Sequence, residues 1–274
     1  MSTSINTNVA AMLAIQNLNR TSADLSVSQN RISTGQKVSS AKDNGAIFAI
    51  AQNQRGSSLA LNAVRESLQR GQSAVDVALS AGETISDLLV QMKEKALAAS
   101  DTQLNTASRD AMASDFAALR DQITKTVNNA SFNGFNLLKN ATAITALADE
   151  TGTSKLTVSS QVMALGGSIV TVQTSTTVGT QALAAGAITT VNTSLKNVSL
   201  ALSKLGTGSK ALSTHLGFVN KLQDAIDAGI GNIVDADLAK ESAKIQALQT
   251  KQQLGFQALS IANQGPSSLL SLFR

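Results

Sequence analysis

His215 is the only histidine of this 274-residue chain and the first candidate for acid–base or metal chemistry. A catalytic Ser-His-Asp arrangement or a histidine metal site needs partner side chains at a fixed spacing, often one helical turn away. Ala211 and Val219 occupy the positions four residues before and after His215. We therefore interpret His215 as a residue on the surface of a helix.

Two pairs of carboxylates, Asp110 with Asp115 and Asp235 with Asp237, have the residue type that general acid–base catalysis uses. Aspartates near helix starts more often cap the backbone and complement the helix dipole. The chain has no cysteine, which excludes disulfides, thiolate nucleophiles and zinc–thiolate sites. The sequence therefore predicts no catalytic residue, no cofactor site and no metal site, and we expect no enzymatic activity.

The charge and aromatic content argue against two further classes of partner. Lys and Arg number 22 against 18 Asp and Glu, and aromatic residues make up 3% of the chain, without the basic clusters and interleaved aromatics of nucleic-acid binders. Residues 252–273 carry no charge, but amides and hydroxyls interrupt the apolar run that a membrane span requires. We expect neither a nucleic acid nor a membrane as partner.

Apolar and small residues at alternating spacings of three and four predict long helices that pack side by side. The first row comprises Leu61, Val64, Leu68, Gly71, Val75, Ala78, Gly82, Ile85, Leu89, Met92, Ala96 and Ala99. The second comprises Met112, Phe116, Leu119, Ile123, Thr126 and Ala130, and the third Leu195, Val198, Leu202, Leu205, Ser209, Leu212, Leu216, Val219, Gln223, Ile226, Ile230 and Ile233. The predicted fold class is mainly α, a bundle or coiled-coil rod of long helices.

The middle of the chain, residues 149–186, has a different composition. It is rich in Thr, Ser and Val, nearly uncharged, and alternates as strands do. We predict a small β-hairpin there, with its turn at Gly166-Gly167.

Both ends of the chain predict amphipathic helices that lack obvious partners except each other and neighbouring molecules. Leu18, Leu25 and Ile32 recur every seven residues, and a looser apolar face follows Leu238. The chain then closes on an apolar cluster at residues 269–273. Burial of such side chains contributes about 1.5 to 3 kcal/mol each, whereas ordering a thin helix pair costs on the order of 1 to 2 kcal/mol per residue. We expect neighbouring subunits to supply the difference.

Several motifs in order resemble those of one family, the bacterial flagellins, which are subunits of the flagellar filament. RISTGQKVSSAKDNGAIFAIA at residues 31–51 resembles that family's Arg-Leu-Ser-Ser-Gly and Ser-Ala-Lys-Asp-Asp motifs. SFNGFNLL at residues 131–138 resembles its Phe-Asn-Gly turn, and INTNVAAMLAIQNLNR and the block from Val234 to Arg274 resemble its two ends. The short middle implies a flagellin without large outer domains.

The resemblance implies two domains of the types called D0 and D1 in flagellins. Residues 1–36 with 235–274 are expected to form an inner coiled-coil domain that lines the filament channel. Residues 37–234 are expected to form a rod domain of three long helices that includes the variable segment 149–186.

The resemblance also implies roles for particular residues. Those expected at subunit interfaces of the inner domain are Leu18, Leu25, Ile32, Leu238, Ile245, Leu259, Leu269, Leu270, Leu272 and Phe273. Those expected at the junction, or spoke, between the two domains are Arg31, Gly35, Lys42 and Asp43. Segments rich in Ser and Thr carry O-linked sugars in some members, which gives candidate glycosylation sites at Thr171, Thr174, Ser175, Thr176 and Thr177.

The function implied is a structural subunit that polymerises into the flagellar filament and transmits motor torque for swimming. The alternative within the same superfamily is a hook–filament junction protein. The implied partners are further copies of the chain in a helical homopolymer, sibling flagellins, an export chaperone, the flagellar export apparatus, and the hook-associated junction and cap proteins. The implied location is the extracellular filament, reached through that apparatus without a cleavable signal peptide.

Overall fold

The computed structural model describes residues 7–271, with side chains as far as residue 264. Within these residues the chain forms five helices and one two-stranded sheet, which confirms the mainly α fold class with a small hairpin. In chain order they are α1 (Val9–Thr34), α2 (Gly45–Ala99), α3 (Thr106–Asn129), β1 (Ile144–Leu147), β2 (Lys155–Val158), α4 (Gln181–Val234) and α5 (Leu238–Ser271).

Every one of these helices begins after a residue whose side-chain oxygen accepts a hydrogen bond from a backbone N–H of the first turn. Such capping satisfies a donor that the helix itself leaves unpaired. The capping residues are Asn8, Asn44, Asn105, Thr180 and Asp237. The helix starts are therefore fixed by local sequence chemistry.

The described residues pack as two units. The first unit consists of the chain up to Gly56 together with the chain from Ala225, and the second unit is Ser57–Asp224. In the first unit, helices α1 and α5 pair with each other, and Ala51, Ile230 and Val234 form a buried apolar cluster.

The core of the second unit is built from the predicted rows. All twelve residues of the first row are buried along α2, and no member of the third row in this unit is exposed along α4. From α3, Phe116 and Ile123 are completely buried. A helical period of three and four therefore placed the core of this unit correctly.

Two glycines allow close approach within this unit. A Cβ built on Gly82 of α2 would lie 2.7 Å from Cδ2 of Leu202, and one built on Gly208 of α4 would lie 2.7 Å from Cγ1 of Val158 in β2. Contacts this short do not occur between real side-chain atoms. Helix α4 and strand β2 therefore pack at their observed separation because Gly208 has no Cβ, whereas at Gly82 of α2 the end of the Leu202 side chain of α4 would have to move. Each glycine costs about 1 kcal/mol of helix propensity, which the closer packing offsets.

The hairpin is present but lies earlier than the sequence predicted. Strands β1 and β2 pair antiparallel, with Ile144 opposite Val158 and Leu147 opposite Lys155. The connection between them turns at Gly152, which has a φ of 72°. The predicted hairpin turn at Gly166-Gly167 is wrong: these residues make backbone bonds from Gly166 N–H to Val172 O at 2.8 Å and from Gly167 N–H to Ala164 O at 3.2 Å, and they join no strands.

The reason is that residues 159–180 bury their apolar side chains against the rest of the unit without forming a ladder. Met163, Val170, Val172 and Val178 are completely buried. Alternation of apolar and polar residues indicates that one side of a segment is covered, whether a strand or a helix covers it. Here the cover is helical, so the alternation was misassigned to a hairpin.

Arg109 of α3 terminates α2. Its Nε donates to Ala99 O at 2.9 Å and its Nη2 donates to Asp101 O at 2.8 Å. The last carbonyls of a helix have no partner inside the helix and carry partial negative charge, so a cation there both pairs with them and complements the dipole.

Candidate assembly interface

Helices α1 and α5 lie side by side in the first unit and run antiparallel. Polar contacts cross between them at three successive levels and join Arg31 to Glu241, Ser22 to Gln252, and Asn8 to Ala262. Each step toward the start of α1 is matched by a comparable step toward the end of α5. The two helices are therefore paired in one register over their described length.

The contact nearest the end of α1 is an ion pair within a polar cluster of Ser28, Arg31 and Glu241. Nη1 of Arg31 donates to Oε1 of Glu241 at 2.9 Å, with the two side chains 27% and 12% exposed. The hydrogen bond from Arg31 lowers the pKa of Glu241, and the charge of Lys244 acts in the same direction, against the effect of burial. The carboxylate is therefore held in its charged form.

The predicted interface residues of α1 face its partner helix. Leu18, Leu25 and Ile32 are partly buried, as residues seven apart on one helix face should be when that face is covered. A Cβ on Gly255 of α5 would lie 3.1 Å from Cδ1 of Leu18. Leu18 is thus engaged inside the chain.

The predicted interface residues of α5 divide into three groups. Ile245 and Leu259 are partly buried, while Leu238 is 49% exposed. Leu269 and Leu270 lie in α5, but their side chains fall outside the described structure, and Leu272 and Phe273 lie outside the described residues altogether. The role of all these residues between subunits stays a prediction.

A groove of about 710 Å³ follows the half of the pair that is remote from residues 34–38. We call it the distal groove. Its floor is made of small residues and its walls include Leu13, Leu254 and Ile261, which are 58%, 58% and 70% exposed. The floor residues are Ala10, Ala14, Gly255, Ala258 and Ala262. Leu18 also lines the groove, where it packs over Gly255.

Apolar side chains also project from the other faces of α1 near its start. Val9, Met12 and Ile15 are 64%, 64% and 45% exposed, and Leu13 points into the distal groove. Because successive residues of a helix are rotated by about 100°, these four side chains lie within an arc of about 160°, a little less than half of its circumference. This exposed apolar arc lies on the side of α1 that α5 does not cover.

A short backbone bridge joins the end of α1 to the start of α5. Gly35, with a φ of 70°, ends α1 in the left-handed conformation that glycine favours. The chain then pairs with residues 234–236, and the bridge joins Gly35 to Ala236, Gln36 to Asp235, and Lys37 and Val38 to Val234. The connection from α1 to α2 and the connection from α4 to α5 are therefore hydrogen-bonded to each other here.

Asp43 organises the segment that follows the bridge. Its Oδ2 accepts hydrogen bonds of 2.9 to 3.1 Å from the backbone N–H groups and hydroxyls of Ser39 and Ser40. The Ser40 backbone, followed by the Ser39 hydroxyl, lowers the pKa of Asp43. Of the predicted junction residues, Gly35 and Asp43 shape this segment, Lys42 is exposed within it, and Arg31 lies in the polar cluster one turn earlier.

Sequence reasoning missed several residues of this arrangement. Thr21 and Ser28 are buried at 3% and 0% exposure, seven residues apart, in the face of α1 that meets α5. Hydroxyl residues do not count as apolar, so the row escaped detection, although its heptad spacing was visible. Glu241 was missed because its partner Arg31 is 210 residues away in the sequence.

The candidates for chemistry occupy structural positions. Nε2 of His215 lies 2.7 Å from Ala148 O, and its ring stacks at a tilt on Phe218 with a centroid distance of 5.7 Å. In the described part of the chain, His, Asp and Glu form no group of three that could hold a metal ion. None of the described helices is long and apolar enough to cross a membrane.

Family comparisons cover most of the chain. The family model described as the bacterial flagellin N-terminal helical region matches residues 5–143, and that of the flagellin C-terminal helical region matches residues 188–273. Flagellin FljM of Caulobacter vibrioides is 59% identical over 272 residues, which are 99% of this chain and 98% of that protein.

Two solved structures share the fold. The crystal structure of Bacillus cereus flagellin has a TM-score of 0.50 and 21% identity, covering 56% of this chain and 88% of its own. A putative flagellar hook-associated protein from Vibrio parahaemolyticus has a TM-score of 0.57 and 15% identity, covering 70% of this chain and 100% of its own. At these identities the likeness concerns the fold alone.

Proposed function

From the premise that this chain belongs to the bacterial flagellins, we propose that its α1/α5 pair carries the contacts through which subunits join in the filament. Membership of the family makes the chain a structural subunit that polymerises into the extracellular flagellar filament, and not an enzyme. The hook-associated alternative has no support beyond a shared fold.

The observation that carries the proposal is the exposure of apolar side chains on the distal half of the pair. Leu13, Leu254 and Ile261 line an unfilled groove, and Met12 is exposed on another face of α1. Burial of a side chain of this kind contributes about 1.5 to 3 kcal/mol, and a groove floored by small residues accepts a helix at close distance. A helix of a neighbouring copy fits this surface, and repetition of one such contact generates an open helical polymer.

A substitution in the groove wall tests the proposal. Leu254→Ser removes an exposed apolar side chain, and Gln253→Ser changes the exposed polar residue beside it on the same helix. We expect Leu254→Ser to raise the critical concentration for seeded filament growth about tenfold or more, since 1.4 kcal/mol corresponds to a factor of ten. Gln253→Ser should grow normally. Normal growth of both variants would contradict the proposal.

We propose the same role for the chain end, which includes Leu269, Leu270, Leu272 and Phe273. Deletion of residues 267–274 should leave the helical content of residues 57–224 intact and abolish seeded growth, because four apolar side chains are lost from each repeated contact. Circular dichroism of the monomer and sedimentation after seeding measure the two effects. Sedimentation of the truncated chain at the concentration at which the wild type sediments would contradict this assignment.

We further propose the domain bounds that the sequence implied, an inner domain of residues 1–36 with 235–274 and a rod domain of residues 37–234. The backbone bridge between Gln36 and Asp235 supports them, since it lies after α1 and before α5. These bounds differ from those of the compact units, which also place residues 37–56 and 225–234 with the paired helices. A fragment of residues 37–234 should fold cooperatively alone in a urea titration. A fragment that unfolds without a sigmoidal transition would refute these bounds.

The route and the other partners are proposed in turn. We propose that the chain is exported through the flagellar apparatus without a cleavable signal. A chaperone covers the exposed apolar surface before assembly. In the finished filament the chain contacts sibling flagellins and the junction and cap proteins. N-terminal sequencing of the protein from purified filaments should give a chain that begins at Met1 or Ser2. A first residue further along the chain would contradict uncleaved export.

Glycosylation is proposed for the hydroxyls of residues 174–177. Thr174, Ser175 and Thr177 are exposed, and Thr176 accepts a hydrogen bond from the Gln173 backbone at 3.0 Å. Thr171, by contrast, has its hydroxyl within 3.1 Å of Thr190 O and 3.0 Å of Ser194 Oγ, which makes it a poor acceptor of a sugar. An intact mass of filament protein equal to the 28.2 kDa of the bare chain would refute the proposal.

A further inference from the structure

The methionines within the described residues differ sharply in exposure. Met12 of α1 is 64% exposed, Met112 of α3 is partly buried, and Met92 and Met163 are completely buried. With no cysteine or tryptophan in the sequence, the methionine thioethers are the groups of this chain that mild oxidants attack first.

The two buried thioethers are enclosed by packing. Met92 belongs to the first apolar row of α2, and Met163 packs over Gly82, where a built Cβ would lie 3.4 Å from its Cε and 3.6 Å from its Sδ. A dissolved oxidant reaches such sulfur atoms only when the core opens, which costs up to the free energy of global unfolding. The Met12 sulfur is reached without any opening.

Met12 lies in the middle of the exposed apolar arc of α1. Val9 and Ile15 flank it at three residues on either side and are 64% and 45% exposed, whereas Leu18 faces α5. The Met12 backbone N–H donates to Asn8 O at 3.0 Å, so a change at the end of the side chain leaves the first turn of α1 in place. A chemical change at this sulfur therefore alters the surface of the helix and not its backbone.

Oxidation is the reaction that this exposure permits. The sulfur lone pair attacks one oxygen of hydrogen peroxide, the S–O bond forms as the O–O bond breaks, and the released hydroxide takes the proton from the transferred oxygen and leaves as water. Sulfur is oxidised by two electrons and the peroxide is reduced by two. The product is a methionine sulfoxide, which is polar and is reduced back by methionine sulfoxide reductases. An apolar side chain is thereby converted reversibly into a polar one.

We propose that Met12 is a site of reversible oxidative modification by oxidants of the peroxide class, and that its sulfoxide keeps the free subunit out of the growing polymer. The inference rests on the proposed function, in which the α1/α5 pair carries the contacts between copies of this chain. It adds a chemical condition on that surface, since the thioether must be reduced when the subunit joins. In the polymer the neighbouring copy covers Met12 and shields it from the oxidant.

The rival explanation is that Met12 has no part in assembly and that peroxide acts through damage to the core. Met12→Leu removes the sulfur and keeps an apolar side chain of similar volume, a change that is usually well tolerated. Met112→Leu makes the same replacement on α3 and is the matched control. Met12→Gln places a polar side chain of similar length on α1 without any oxidant.

The first experiment exposes the full-length monomer to limiting hydrogen peroxide and locates the added oxygen by mass spectrometry of peptides. In the wild type we expect Met12 to be oxidised at least about tenfold faster than Met92 or Met163, because only the buried sulfur atoms await an opening of the core. Subunits already in filaments should resist oxidation at Met12. Equal rates at Met12 and Met92, or equal oxidation of Met12 in monomer and filament, would overturn the proposal.

The second experiment measures seeded growth. Peroxide-treated wild type and Met112→Leu should each require about tenfold more subunit than before treatment, and a methionine sulfoxide reductase should restore the original concentration. Met12→Leu should grow normally before and after treatment, and Met12→Gln should require about tenfold more subunit without it.

Unimpaired growth of the oxidised wild type, normal growth of Met12→Gln, or equal impairment of oxidised Met12→Leu would each refute the modification site. Failure of the proposed function itself is recognised separately, by normal growth of Leu254→Ser.

Discussion

Leu18 lies directly over Gly255, at a distance where a Cβ on the glycine would be 3.1 Å from Cδ1 of the leucine. Helices α1 and α5 therefore meet here with backbone on one side and a branched apolar side chain on the other. The end of a leucine moves by a few tenths of an ångström at little expense, but it has no room for a second branched side chain. The size of residue 255 therefore controls the separation of the two helices.

We predict that Gly255→Ala assembles and that Gly255→Leu does not. Alanine improves helix propensity by about 1 kcal/mol and displaces Leu18 only slightly. Leucine pushes the helices apart and distorts the groove beside them. Sedimentation after seeding measures both variants, and equal growth of the two would show that the close approach has no part in assembly.

Gly208 and Gly206 give a matched pair of substitutions in α4. A Cβ at Gly208 meets Val158 at 2.7 Å, whereas one at Gly206 meets nothing within 4 Å. We predict that Gly206→Ala raises the free energy of unfolding by about 0.5 to 1 kcal/mol through helix propensity. Gly208→Ala should lower it by up to about 2 kcal/mol, because overpacking against a β-branched residue outweighs that gain. Urea unfolding of the monomer followed at 222 nm discriminates these signs.

Arg109 should contribute more to stability than an exposed arginine in a surface pair. We predict that Arg109→Met lowers the free energy of unfolding by about 1 to 3 kcal/mol, because the last carbonyl of α2, at Ala99, and the loop carbonyl of Asp101 lose charged donors. Arg70→Met, which breaks a pair with Glu66 at 3.7 Å between side chains 58% and 67% exposed, should change it by about 1 kcal/mol or less. Equal losses of unfolding free energy for Arg109→Met and Arg70→Met in urea titrations would refute the capping role of Arg109.

The ion pair also predicts a dependence on pH. Since the pKa of Glu241 in the folded chain is lowered from its ordinary value of 4.5, its contribution to stability is complete above that value and is lost as the pH falls through the folded pKa. Asp43 and Asp149 have pKa values lowered in the same direction. The contribution of Glu241 is therefore measured as the difference in free energy of unfolding between the wild type and Glu241→Gln.

We expect the wild type to exceed Glu241→Gln in free energy of unfolding at pH 6 and the two proteins to converge on acidification below pH 4.5. Urea titrations of both proteins at a series of pH values measure the difference. A difference that stays constant throughout this window would show that the charge of Glu241 does not stabilise the fold.

The parts of the fold that follow from a helical period were predictable from sequence. The first row of α2 was identified residue by residue, because a row of twelve members can satisfy the three–four spacing only as a helix. The middle of the chain was less predictable. Val170 and Val172 alternate as they would in a strand, but helices bury them, and no local signal separates the two cases.

The assembly surface was predictable only in part. The heptad residues Leu18, Leu25 and Ile32 were recognised, but the pairing of Arg31 with Glu241 depends on a register between distant segments, which a single sequence does not encode locally. The distal groove is an unfilled space between two helices, and no sequence pattern identifies such a space. Small residues such as Gly255 and Ala258 are equally compatible with close packing and with an open groove.

His215 makes the chain its own spectroscopic probe. Because the Ala148 carbonyl can only accept, the imidazole proton resides on Nε2, and the ring lies within the ring-current field of Phe218. With one histidine and no tryptophan or tyrosine in the sequence, the aromatic proton spectrum contains a single imidazole spin system. Its chemical shift therefore reports, without any label, whether the end of β1 is docked on α4 as subunits pass from solution into the polymer.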